Sequence, residues 1–262
     1  MSMNRGQLQA VELDLEAALV KVRALLAELP EVTSAPAPLP VPANDASPAF
    51  ADYGLFYDFL RGNKMLGPRI SADEFGGCDA ILKACVRAGW PVSFTAYALA
   101  TAYLETAATM QPIHEKGGTA YFTRMYDIQG ARPAKARELG NLTPGDGARY
   151  HGRGYVQLTG KTNYARATTK LRALGLDVDL VADPDLALRP DVAAAIMVSG
   201  MSEGWFTGRK LNDDLPLRGP ASLAQFTASR DIINGKDRAA EIAAFALDWQ
   251  TGLMAGGYRI AA

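Results

Sequence analysis

Residues 30–48 hold six prolines in nineteen positions, and this run divides the chain into parts that fold separately. Each proline fixes φ and removes a backbone donor, so the run predicts a semi-rigid extended linker of about 3.1 Å per residue. The division predicts an N-terminal helix over 1–29, the linker over 30–48 and one domain of ordinary size over 49–262.

The N-terminal segment has the apolar spacing of an amphipathic helix. Apolar residues recur every seven positions for about three heptads, as in a short coiled coil. Further leucines such as Leu13 and Leu19 lie off this seam and widen the apolar stripe. The stripe therefore leaves two interpretations open: a helix docked on its own domain or on a partner, and self-association through residues 8–29. The seam residues are Leu8, Val11, Leu15, Ala18, Val22, Leu25 and Leu29.

The charge balance and the few metal-binding side chains exclude several classes of protein. The 27 basic and 28 acidic residues give a net charge of -1, which argues against a nucleic-acid partner. With two histidines a multi-histidine zinc site is hard to build, and the histidines and cysteines do not have metal-ligand spacing, so we expect no metal. Cys78 and Cys85 lie seven residues apart in a predicted helix, too far for a disulfide, and are expected to be buried.

The region 49–262 is predicted to be mainly α. Helical patterns cover 71–87, 91–108, 191–203 and 238–253, the first opening with a capping box of Ser71 and Glu74. Residues 150–159 alternate and contain glycines, which indicates a short strand or hairpin. Regular βαβ alternation is missing, so a Rossmann-like sheet is not expected.

Two glutamates have the pattern of a catalytic pair. Glu105 lies in a segment almost free of charge, where burial raises a carboxyl pKa as a general acid requires. The alternative is a structural glutamate paired with an arginine such as Arg153. Glu115 follows beyond Pro112, where the chain can turn back, and two carboxyls across a gap are the minimum for glycoside hydrolysis. The alternative for Glu115 is an exposed loop position.

Groups suited to sugars are concentrated after the glutamates. Tyr121 follows a pair of glycines, and the stretch 152–164 supplies amides, a hydroxyl and aromatic rings that can contact sugar hydroxyls and sugar faces. The candidate contacts in that stretch are Arg153, Gln157, Thr159, Asn163 and Tyr164.

The segments 100–107 (ATAYLETA), 152–164 (GRGYVQLTGKTNY) and 230–235 (RDIING) resemble family 19 glycoside hydrolases, and more closely their phage and bacterial endolysin branch. The resemblance covers about residues 55–255. It implies a lysozyme-like, mainly helical fold with a small β element. It also implies inverting hydrolysis of β-1,4 bonds next to N-acetylated sugars, without a metal or another cofactor.

Matched position by position, the resemblance makes Glu105 the general acid and Glu115 the general base, with Asp127 as the reserve base. Thr159 corresponds to a hydroxyl residue that holds the attacking water. The family's histidine before the acid is Leu104 here, so its role is missing or replaced. The positions that the resemblance and the composition assign to substrate binding are Tyr121, Arg153, Gln157, Asn163, Tyr164, Arg230 and Asn234.

Three functions remain open at this point. The first is a peptidoglycan-degrading glycosidase of the endolysin type. The second is a chitinase acting on chitin oligomers, and the third is a non-catalytic glycan-binding or virion structural module. An uncharged stretch long enough to cross a membrane is missing, and charges interrupt the N-terminal apolar run where a signal peptide needs none. We therefore expect synthesis in the cytoplasm and action on the cell wall after release.

Overall fold

The computed structural model describes residues 51–63, 65–67, 69–233 and 237–259. The predicted N-terminal helix, the linker and Asn234 lie outside these residues. The described chain is mainly helical with one small antiparallel sheet, as predicted. None of its helices is long and apolar enough to cross a membrane.

The described residues form ten α-helices, two short strands and three 3-10 helices. The α-helices are α1 (Tyr53–Gly62), α2 (Ala72–Arg87), α3 (Val92–Glu105), α4 (Thr119–Tyr126), α5 (Pro133–Glu138), α6 (Asp146–Arg149), α7 (Lys161–Ala173), α8 (Pro190–Glu203), α9 (Leu223–Ala228) and α10 (Ala239–Ala255). The strands are β1 (Ile113–His114), before α4, and β2 (Arg153–Gly154), after α6. Short 3-10 helices cover Pro184–Leu188, Leu211–Asp213 and Ser229–Ile232.

Helix α3 forms the centre of the described domain. Nearly all of its side chains are buried, because its composition offers no charged face to the solvent. It packs along α10, whose Trp249 is fully buried, while α2 packs against α8. The predicted capping box at the start of α2 is present: Ser71 accepts from the Glu74 backbone, and the Glu74 carboxylate accepts from the Ser71 N–H at 2.7 Å. Both cysteines are buried and unbridged.

Helix α3 ends three residues earlier than the sequence predicts. The Thr106 hydroxyl donates to the Ala102 carbonyl at 2.7 Å and accepts from the Met110 N–H at 3.0 Å. Ala107, Ala108 and Met110 then have φ values of +52°, +67° and +54°. This sharp turn leaves Glu105 as the last residue of α3 rather than an interior helical position.

The predicted strand at 150–159 is present, but its main partner lies earlier in the chain. β2 pairs with β1, with Ile113 opposite Gly154 and His114 opposite Arg153. Within 150–159 itself, a single bridge joins Arg153 to Leu158. The sheet therefore brings the residues just after β1, which include Glu115, against the glycine-rich segment that begins at Gly152.

Candidate active site

Glu105 is held by an arginine from a distant part of the chain. The Arg230 guanidinium donates from Nη1 to Glu105 Oε1 at 3.0 Å. The Arg230 side chain is 2% exposed, whereas the Glu105 side chain is 22% exposed. Glu105 is therefore only partly buried, whereas the sequence predicts a buried carboxyl, and its ion-pair partner is Arg230 instead of Arg153. Within the described residues the contact reaches Oε1 and leaves Oε2 for other partners.

Two hydrogen bonds fix the Arg230 side chain and the backbone of the residue before it. Its Nε donates to the Asp237 carbonyl at 2.7 Å, and the neighbouring Ser229 carbonyl accepts from the Tyr97 hydroxyl at 2.7 Å. A guanidinium committed in this way has little freedom to reach a sugar. The structure therefore gives Arg230 a role behind Glu105, in place of the predicted direct substrate contact.

Glu115 is oriented at both carboxylate oxygens. Oε1 accepts from the Tyr126 hydroxyl at 2.7 Å, and Oε2 accepts from the Gly152 N–H at 3.1 Å. The Glu115 N–H also donates to the Gly152 carbonyl at 2.8 Å. A Cβ at residue 152 would lie 3.0 Å from both Glu115 Oε2 and Gln157 Oε1, so any other residue here would push these side-chain ends aside by a few tenths of an ångström.

A hydrogen-bonded chain leads from this sheet to helix α7. Gln157, whose φ is +53°, donates from Nε2 to the Ile113 and Gly154 carbonyls at 3.3 and 3.1 Å. The Thr159 hydroxyl donates to the Gln157 carbonyl at 2.8 Å, and Asn163 Nδ2 donates to the Thr159 carbonyl at 2.8 Å. The side chains of Gln157, Thr159 and Asn163 are half-buried, so the predicted polar groups beside Glu115 reach the surface.

Arg153 and Tyr164 are interior residues. Arg153 donates to Asp185 Oδ1 at 2.8 Å, to the Tyr164 hydroxyl at 3.0 Å and to two backbone carbonyls. Tyr164 is fully buried, and its hydroxyl donates to the His151 carbonyl at 2.8 Å. These bonds hold the backbone just before Gly152 from the interior. The structure therefore assigns both residues a supporting role instead of the predicted contact with sugar.

Asp127 is a poor candidate for the base. It is 1% exposed, and its oxygens accept three backbone N–H groups, from Gln129 at 3.1 Å, Gly145 at 2.8 Å and Gly147 at 3.1 Å. Burial acts to raise the pKa of Asp127, but the three donors outweigh it and hold that pKa below the usual range. A carboxylate enclosed in this way cannot take a proton from a water that attacks a substrate.

An aromatic stack beside Glu115 has no counterpart in the sequence prediction. His151 stacks on Phe122 with ring centroids 4.3 Å apart, and His114 Nδ1 lies 3.1 Å from His151 Nε2. His151 Nδ1 lies 2.7 Å from the Ala148 carbonyl, which makes Nδ1 the donor and Nε2 the acceptor. Burial lowers the pKa of His151 below its usual range. The signal in the sequence was the position of His151 directly before the glycine-rich segment.

The remaining predicted positions divide between surface and core. Tyr121 is 36% exposed in α4, five residues before Tyr126, and is free to contact a ligand. Leu104 is buried in the core, so the position of the family's histidine is used here for packing.

The structure thus forms two clusters. One contains Glu105 and Arg230 at the end of α3, and the other contains Glu115, Tyr126 and the Gly152 segment at the sheet. Within the described residues, no hydrogen bond or ion pair joins one cluster to the other. The same part of the chain has no group of three or more His, Cys, Asp or Glu side chains that could hold a metal ion.

Comparison with known proteins gives structural neighbours alone. No family model matches the chain, and no curated protein matches it. Chitinase C from Streptomyces griseus HUT6037 is similar in structure, with a TM-score of 0.48 and 20% identity over 80% of this chain and 79% of that one. A bacterial family 19 chitinase has a TM-score of 0.42 and 18% identity over 79% of this chain and 95% of that one.

Proposed function

We propose that this protein is an inverting glycoside hydrolase that cleaves β-1,4 bonds between N-acetylated amino sugars, with the peptidoglycan glycan strand as its substrate. The observation that carries the proposal is the oriented carboxylate of Glu115 beside the Gln157, Thr159 and Asn163 chain. An ionised carboxylate next to surface amide and hydroxyl groups is suited to activate a water against a bound sugar. The resemblance of the 152–164 segment to family 19 glycoside hydrolases supports the same function.

In the proposed mechanism, Glu105 donates the proton to the glycosidic oxygen as the bond to the leaving sugar breaks. The acid step uses the protonated form of Glu105, with the proton on Oε2 because Arg230 binds Oε1, and the ion pair with Arg230 is the form that remains once the proton has left. Glu115 accepts a proton from a water that the Thr159 hydroxyl holds, and the water attacks the opposite face of the sugar. Inversion at the anomeric carbon follows, because a single displacement forms no covalent intermediate with the enzyme.

The first prediction concerns the two glutamates. We expect Glu105→Gln and Glu115→Gln each to lower the rate of glycan cleavage by about 10²–10⁴-fold or more, because each removes one proton transfer. Glu138→Gln is the matched control, since Glu138 pairs with Lys135 on the exposed surface of α5. The assay is release of soluble fragments from purified Gram-negative sacculi.

Product analysis tests the reaction and separates the substrates. Mass spectrometry of the fragments identifies the cleaved bond, and NMR of the earliest products is expected to show the inverted anomer. Retained configuration would contradict the mechanism. Cleavage of chitin oligomers without cleavage of sacculi would replace peptidoglycan by chitin as substrate. Binding to sacculi without any cleavage would leave the non-catalytic module as the function.

A further inference from the structure

The Tyr126 hydroxyl makes the shortest contact to Glu115 in the described structure, at 2.7 Å. Tyr126 is the last residue of α4 and is half-buried. Its carbonyl accepts from Asn141 Nδ2 at 3.0 Å, and its ring stacks on Phe122 with an interplanar angle of 14°. Backbone and ring are therefore both held, so the hydroxyl is aimed at Glu115 before any substrate binds.

We propose that Tyr126 is the positioning residue that aims the Glu115 carboxylate at the attacking water, an inference that rests on the proposed function. The hydroxyl and the Gly152 N–H occupy one lone pair on each oxygen of Glu115. This arrangement leaves the second lone pair of each oxygen to accept a proton. Hydrogen bonds to a carboxylate favour its charged form, so removal of the Tyr126 hydroxyl is expected to favour the protonated form of Glu115.

The groups around Tyr126 and Glu115 also keep the Tyr126 hydroxyl as the donor of their hydrogen bond. Burial raises the pKa of the Tyr126 phenol, and the hydrogen bond and charge of Glu115 raise it further, so the phenol keeps its proton and remains a donor. Other titratable groups also face the pair, from α4 itself and from other parts of the chain. Those near Glu115 are His151 and Tyr164, and those near Tyr126 are Tyr121 and Arg132.

The test is Tyr126→Phe in the full-length protein, which removes the hydroxyl and keeps the ring on Phe122. We expect kcat on sacculi to fall by about 10- to 100-fold with KM nearly unchanged, because a bond to a charged group is lost. We also expect the acidic limb of the pH–rate profile to move up by about one pH unit, because the base is then protonated more easily. The matched control is Tyr103→Phe, which removes a hydrogen bond of equal length, 2.7 Å, to the Met65 carbonyl.

A purely structural tyrosine would not move the acidic limb. An unchanged limb in folded Tyr126→Phe protein, or an equal shift in Tyr103→Phe, would overturn the inference. Incorporation of 3-fluorotyrosine at position 126 is the second variant. It keeps the size and the hydroxyl but gives a more acidic phenol, so the limb is expected to move down instead; an unmoved limb would count against the role even if Tyr126→Phe unfolds.

A carbon-13 NMR titration of the Glu115 carboxyl gives a readout that does not depend on turnover. The resonance is identified by its loss in Glu115→Gln, and its titration midpoint is expected to rise in Tyr126→Phe. A rise in a protein that cleaves no glycan would sustain the effect of the Tyr126 hydroxyl on Glu115 and reject the proposed function. An unchanged midpoint in a protein that cleaves sacculi would reject the role of Tyr126 and leave the function standing.

Discussion

At the scale of single residues, hydrogen bonds decide what each carboxylate of this protein is able to do. Asp127 accepts three backbone N–H groups in the interior and joins the end of α4 to the turn at 145–147. Glu115 accepts two donors but remains half-buried and open to a ligand. Glu105 meets a buried guanidinium, so an ion pair holds it in place rather than the apolar surroundings that its sequence context indicates.

The prediction at this scale is that Asp127→Asn destabilises the fold without a specific effect on catalysis. In asparagine an NH2 group, which donates hydrogen bonds, replaces one carboxylate oxygen that accepts them from the backbone. The free energy of unfolding is therefore expected to fall by about 2–4 kcal/mol. Urea denaturation at neutral pH measures this loss. Asp127→Asn protein with wild-type stability and no glycan cleavage would return Asp127 to candidacy as the base.

At the scale of elements, the segment between α3 and β1 determines where both glutamates lie. It turns sharply after Glu105, and the Met110 carbonyl then packs on Gly77 in α2. A Cβ at residue 77 would lie 1.7 Å from that carbonyl oxygen, which no relaxed structure tolerates. Residue 77 must therefore be a glycine for the turn between Glu105 and Glu115 to pack against α2.

The neighbouring glycines of α2 provide a matched pair of substitutions. We expect Gly77→Ala to lower the free energy of unfolding by about 1–3 kcal/mol or more, because the backbone of the turn must shift. Gly76→Ala, with open space around its Cβ, is expected to raise it by about 0.5–1 kcal/mol through reduced chain entropy. Thermal denaturation of both variants is the measurement, and equal effects would contradict the packing described for α2.

At the scale of the whole molecule, the fold encloses groups whose protonation differs between the folded and the unfolded chain. Burial lowers the pKa of His151 from its ordinary value of 6.5, and the charge of Arg153 lowers it further. The unfolded chain therefore binds this proton at higher pH than the folded chain. The stability that neutral His151 contributes is complete above about pH 6.5 and is lost as the pH falls below it.

The expected result is a melting temperature that falls between pH 7 and pH 5 in the wild-type protein. His151→Phe keeps an aromatic ring on Phe122 and removes the titrating group. The melting temperature of this variant is expected to be lower than that of the wild type at pH 7 and to change less with pH. Differential scanning calorimetry across this range measures both slopes. Parallel curves for the two proteins would show that His151 is not the group responsible.

The sequence predicted the helices well and the site only in part. The capping box at Ser71 and the charge-free run of α3 act within a few residues of each other, so their local pattern is sufficient. The end of α3 was missed because three residues in the left-handed region follow it without a glycine to mark them. Tyr126 was missed because no neighbour in the chain distinguishes it from the other tyrosines.

The sequence by itself determined the helical class, the burial of α3 and the stretch 152–164 in which polar groups are concentrated, because composition and spacing encode burial and local hydrogen bonding. Only the tertiary structure decided which of these groups reach the surface. It pairs Glu105 with Arg230, encloses Arg153, Tyr164 and Asp127, and brings Tyr126 to Glu115. These contacts join residues from different elements, and such pairings depend on how the helices pack rather than on any local pattern.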